Sequence, residues 1–238
     1  MKPRRVKKLD PDRPFAENAA RMVRVRLGEL RAYVPRVLEA DAIADQHDMR
    51  IAAKRLRYVL EVTEICFGNP ATIARARARD LQGLLGEMRD CDVMLPRVHG
   101  QLEKLRENDA QALRRRAAKD PDLDPGLART LPNRTAYRGL EVLAVYLEAR
   151  RRHLFDRFRA FWAEQEKAGT WDSLEQATEK QLALAKERRR AEREANRTRE
   201  ELERAAEAER EARERAAEAQ AQLERMRPAR NQAPSTRP

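Results

Sequence analysis

His47, Arg50, Lys54 and Arg57 are the residues of this chain best spaced to act together. At about 100° per residue of α-helix they fall within an arc of about 80°, on a stripe roughly 15 Å long. Met49, Ala52, Ala53, Leu56, Val59 and Leu60 occupy a separate arc and are expected to pack inward. A chain of phosphates laid along the stripe meets one cation per turn. Arginine offers a planar fork to phosphate oxygens, and lysine a compact point charge. Histidine donates from one ring nitrogen when neutral and from both when protonated. Glu61 continues the arc and is placed to pair with Arg57, which bounds the stripe at that end. By spacing alone the same run also fits an ordinary solvated basic face.

Three other charges fall where the periodicity is apolar. Counted from Leu81, Asp92 lies amid Leu84, Leu85, Met88 and Leu95; Arg26 lies on the apolar face of the first predicted helix; Arg151 lies between Leu147, Leu154 and Phe158. An unpaired buried carboxylate costs on the order of several kcal/mol, so Asp92 is expected in a structural ion pair with Arg26 or Arg151. Alternatively, the two arginines face a polar groove and Asp92 orients them toward a bound anion.

These residues must be positioned by helices. Ala, Leu, Arg and Glu dominate the 238 residues, and strand alternation and hairpin turn signals are missing. A first helix is predicted from Pro14 to about Ala40, with Phe15, Ala19, Met22, Val23, Leu30, Tyr33, Val34 and Val37 on one face. A second runs from about Asp45 to Phe67 and stops at Gly68-Asn69-Pro70. A third starts near Ala71, with Pro96 expected to kink or end its regular part. A loop at 119–133 precedes a fourth helix, from Asn133 to Lys167, carrying Leu140, Leu143, Leu147, Leu154, Phe158, Phe161 and Trp162 inward. The predicted fold is all-α: a basic segment at 1–14, an antiparallel four-helix bundle at 15–168, a long charged helix or coiled coil at 169–227, and a disordered tail at 228–238. In the charged helix, Ala195, Thr198, Leu202, Ala205, Ala212, Ala216, Ala219, Leu223 and Met226 follow a 3-4 spacing broken by Glu209. That seam suits either a helix paired with a partner or a lone helix held by i,i+4 Glu–Arg pairs.

The formal net charge is +11, and it is uneven. Residues 175–227 hold 14 Lys/Arg against 14 Glu, whereas residues 1–174 hold 35 Lys/Arg against 26 Asp/Glu, a net +9. The anion-attracting field therefore belongs to the N-terminal part. Cys66 and Cys91 form no metal-ligand pattern and read as reduced thiols of a cytoplasmic protein; no metal and no cofactor is expected. The basic N-terminus lacks a following apolar run, so no secretory signal is read, and no stretch approaches a membrane span. A phosphate-cradling glycine loop, a Ser-His-Asp arrangement and an acidic metal cluster are all missing, so the reading is of a binding protein and not an enzyme.

Two segments together resemble the CHAD family, the conserved-histidine α-helical domain. They are the run from Gln46 through His47, Arg50, Lys54, Arg55, Leu56 and Arg57 to Tyr58, and the run Leu84-Leu85-Gly86-Glu87-Met88-Arg89-Asp90-Cys91-Asp92-Val93. The opening from Leu9 to Arg21 is also similar, and the resemblance covers roughly residues 9–168. It implies a helical module that binds inorganic polyphosphate, with His47, Arg50, Lys54, Arg57 and Arg89 as phosphate contacts and an association with polyphosphate granules. Arg26 and Arg151 join that set from the helical-wheel count alone. Such domains usually contain two related bundles, and only one copy is found here. Either half a site suffices or two chains complete it as a homodimer. Nucleic acid, tracked by the same basic helix, ranks below polyphosphate as a partner, as does a scaffold role for the C-terminal helix. The family often sits beside β-barrel triphosphate hydrolases with alternating acidic residues. Glu207, Glu209 and Glu211 alternate, but within a helix-forming repeat.

Overall fold

The computed structural model describes residues 2–117 and 124–225, and every regular element among them is helical. The predicted tail at 228–238 and part of the predicted loop lie outside the described residues. Five α-helices follow in order: α1 (Phe15–Arg31), α2 (Ile43–Thr63), α3 (Asn69–Arg116), α4 (Arg134–Lys167) and α5 (Thr170–Arg225).

α1 is shorter than its periodicity suggests. It ends at Arg31 because Pro35 disfavours helical backbone at Val34, and a single 3-10 turn, Arg36–Leu38, carries Val37 back into the core. Phe15, expected inward, is half exposed at the helix start. Gly68 caps α3 with φ 64°, a backbone state that a side chain would strain. α3 runs unbroken through Pro96, where a kink or stop was expected. Its length lets it pack against α2 with its first half and against α4 along its body.

α2 with α3, and α3 with α4, run antiparallel. Between α3 and α4, Arg151 reaches Asp92, while Tyr137, in the first turn of α4, reaches the far part of α3 at Leu105 and Asp109. Asp109 is buried and accepts from Asn133 Nδ2 (2.7 Å) and the Tyr137 hydroxyl (2.6 Å). Burial, followed by that hydrogen bond, pushes the Tyr137 phenol up to about 12. The core joins Leu27 and Leu30 of α1, Met49, Leu56 and Leu60 of α2, Leu81, Leu85 and Met88 of α3, and Leu154 and Phe158 of α4. Each such side chain stabilises the fold by roughly 1.5–3 kcal/mol.

The composition boundary at 168/169 is not a packing boundary. Gly169, at φ 62°, ends α4 by donating its N–H to Glu166, and the chain re-enters a helix at once. Trp171 and Leu174 are then buried, with Trp171 stacked on Trp162 at 5.9 Å between centroids. Arg31 of α1 pairs with Asp172 (2.7 Å) and Glu175 (2.9 Å), and Gln181 donates to the Cys66 carbonyl. The compact unit thus extends to Ala183, and residues from Leu184 onward form a second unit. Among the described residues no helix is long and apolar enough to cross a membrane.

Candidate anion-binding surface

The rotation of α2 is fixed by its inward arc, since Met49, Ala52, Ala53, Leu56 and Leu60 are all buried. The stripe is left along the side that meets α3. Lys54 is exposed, whereas His47, Arg50 and Arg57 are half-buried. Two contacts tie the stripe to α3. The Nε of Arg57 donates to Gln82 Oε1 at 3.1 Å. The guanidinium of Arg50 rests on Gly86, where an added Cβ would lie 3.3 Å from Nε and 4.0 Å from Nη2. A helix interior ordinarily disfavours glycine, so the close approach of Arg50 gives Gly86 its reason.

Those contacts also set the register. With α2 and α3 antiparallel, and Arg57 opposite Gln82 and Arg50 opposite Gly86, one further turn places Arg89 opposite His47. Arg79 lies one turn on the other side of Gln82, on the same arc of α3, and is exposed. Cations from two helices therefore line one inter-helix seam. Tyr58 adds an exposed ring beside it, 4.4 Å from Arg57 Cζ and 5.6 Å from Lys54 Nζ. Such contacts hold the charges in place and contribute roughly 0.5–1 kcal/mol at an exposed position.

Several arginines of the bundle are neutralised within it. Arg13 and Arg21 share Glu17, Arg75 holds Glu64 at 2.7 Å, and Arg150 holds Glu87 at 2.7 Å. On the stripe Arg57 pairs with Glu61, as its spacing predicts. Among the described residues, no carboxylate lies within ion-pair distance of Arg50, Lys54, Arg79 or Arg89. Arg50 Nε and His47 Nδ1 are moreover buried without a hydrogen-bond partner. The seam thus concentrates positive charge that the chain does not itself cancel.

Arg26 and Arg151 differ from Arg50, Lys54, Arg79 and Arg89 in being paired with carboxylates. Arg26 donates to Glu29 (2.8 Å) and to the Arg4 carbonyl (3.2 Å), so the charge on the apolar face of α1 is cancelled by a fully buried carboxylate of the same helix. Asp92 pairs with Arg151, not Arg26: Arg151 Nε donates to Asp92 Oδ1 at 2.7 Å, with both side chains largely buried. Arg151 Nη2 also donates to Gln46, whose amide nitrogen donates to the Val37 (3.3 Å) and Glu39 (2.8 Å) carbonyls. Asp92 and Arg151 therefore brace the residue next to His47, and Arg26 and Arg151 each have a carboxylate partner within the bundle.

Gln82, Gly86, Arg79 and the ring of Tyr58 escape identification as site residues from sequence spacing. The Lys54–Tyr58 i,i+4 relation is the one signal that points to any of them. The pairing of Arg57 with Gln82 depends on the α2–α3 register, which no local pattern carries.

Fold and site together define an all-α protein with an uncancelled cationic seam between two packed helices. The chain matches the CHAD domain over residues 21–233, nearly its whole length, and it belongs to that family. The match runs past the bundle through the charged helix. Among curated proteins and among solved structures none matches the chain.

Proposed function

We propose that this protein binds inorganic polyphosphate along the α2–α3 seam, without catalysing a reaction on it. The observation that carries the reading is the set of unneutralised cations, Arg50, Lys54, Arg79 and Arg89, on facing arcs of two packed helices, beside the buried and unpartnered Arg50 Nε and His47 Nδ1. CHAD membership supports it, because the family is linked to polyphosphate. A linear polyanion suits this arrangement better than a single phosphate. Its repeated charges can bridge cations one helical turn apart, and each contact releases a condensed counterion. Arg50 and Arg57 supply forks, Lys54 a mobile ammonium at the rim, and His47 and Arg89 the far end. Arg57 is shared with Glu61, so that end contributes least. On this reading the protein resides in the cytoplasm with polyphosphate granules.

Calorimetry with polyphosphate of defined length tests this. The Arg50→Ala/Lys54→Ala/Arg57→Ala variant is expected to keep its helical content and melting temperature within a few degrees, since alanine suits helix interiors. Its affinity is expected to fall by at least about 100-fold. Unaltered affinity would place the site elsewhere. Nucleic acid is separated by competition: if long-chain polyphosphate fails to displace DNA or RNA at physiological salt, the ligand is nucleic acid.

A further inference from the structure

We infer that α5 pairs with α5 of a second copy of this chain, antiparallel and in one register. Apart from half-buried Arg189, every residue from Lys186 to Leu223 is exposed, including Leu202 at 66% and Leu223 at 69%. Yet the helix keeps a 3-4 seam, interrupted only by Arg188 and Glu209: Leu184, Arg188, Ala191, Ala195, Thr198, Leu202, Ala205, Glu209, Ala212, Ala216, Ala219 and Leu223. The exposed aliphatic positions are spaced for a partner helix, and the intervening alanines permit close approach.

Charge selects the partner and its direction. In a parallel pair, like positions meet across the seam, so Arg188 faces Arg188 and Glu209 faces Glu209 of the second copy. In the antiparallel register that sets Leu184 against Leu223 of the second copy, Leu202 meets Ala205, Arg188 meets Ala219 and Glu209 meets Thr198. No like charges then oppose each other in the seam. The flanking positions agree with this register. Glu192 falls beside Arg213 and Glu194 beside Arg215 of the second copy, and two-fold symmetry repeats both pairs. Sliding by one heptad sets Arg199 against Arg199 in one direction and against Arg213 in the other. Arg213 and Arg215 already hold Glu209 and Glu211 within their own helix, at 2.6 Å and 3.0 Å. Those pairs are mostly exposed and weak, and each guanidinium has donors to spare for a second carboxylate.

Sedimentation equilibrium of the full chain and two charge-reversed variants, Arg213→Glu/Arg215→Glu and Glu192→Arg/Glu194→Arg, decides the matter. All four positions are exposed, and both residue types favour helix, so circular dichroism should show unchanged helicity. The wild type is expected to dimerise, and each variant alone to self-associate on the order of a hundredfold more weakly. An equimolar mixture of the two variants is expected to regain wild-type strength, because two of the four pairs then keep their original sign and the other two are restored in reversed sign. A monomeric wild type overturns the inference. So does a dimer indifferent to either reversal, as a parallel pair would be to the first, or a mixture that fails to recover.

Discussion

Arg50 is the residue on which the seam turns, and its position depends on an absent side chain. With its Nε edge against Gly86, the guanidinium has little freedom to retreat from α3. Gly86→Ala sets two effects against each other. Alanine in a helix interior gains about 0.5–1 kcal/mol over glycine, while its Cβ pushes Arg50 by a few tenths of an ångström. Stability is expected to hold or rise slightly while polyphosphate affinity falls about tenfold, a split that thermal melts and calorimetry on one sample would reveal. Asp92 behaves in the opposite way. Asp92→Asn leaves the buried Arg151 guanidinium without its counter-charge and is expected to cost about 1–3 kcal/mol in chemical denaturation. Affinity should stay within about twofold, because the pair braces Gln46 and does not touch the ligand. A large affinity loss at unchanged stability would return Asp92 to an anion-orienting role.

At the level of the elements, α2 and α3 divide the work. α2 presents the cations at one per turn, and α3 supplies the floor, the Gln82 acceptor and two further arginines. α4 fixes α3 through Asp92–Arg151 near the seam and Asp109–Tyr137 far from it. α5 has two roles along one uninterrupted helix. Its opening turns complete the core with Trp171 and Leu174, and from Lys186 to Leu223 every residue but Arg189 is exposed. Two truncations should therefore differ. Ending the chain after Ala183 is expected to leave melting temperature and polyphosphate affinity nearly unchanged. Ending it after Gly169 removes the Trp162–Trp171 stack and is expected to cost about 3–5 kcal/mol or more. Equal stability of the two, followed by denaturant unfolding, would show that α5 contributes nothing to the bundle.

Over the whole molecule, charge is distributed according to task. The part up to residue 174 carries the net +9, and the seam gathers four cations that have no ion-pair partner among the described residues. Residues 175–227 are balanced and spend their charges on i,i+4 pairs such as Arg199–Glu203 at 2.9 Å. Helix content, the breaks at Gly68 and Gly169, the inward arc of α2 and the Arg57–Glu61 pair were all legible in sequence, because each depends on residues within about one or two turns. The stop of α1 was legible too, in Pro35, but periodicity outweighed it and extended the helix to Ala40. Glu29 at i,i+3 was the one local sign that Arg26 is cancelled while Arg50 is not. The choice of Arg151 over Arg26 for Asp92, the Arg50–Gly86 contact and the arrival of Arg79 and Arg89 beside the stripe depend on how helices far apart in sequence pack. The sequence by itself therefore determined which residues could meet an anion, since charge and helical phase are local properties. Only the tertiary structure decided which of them remain free to do so, because neutralisation requires a neighbour, and neighbours are set by packing.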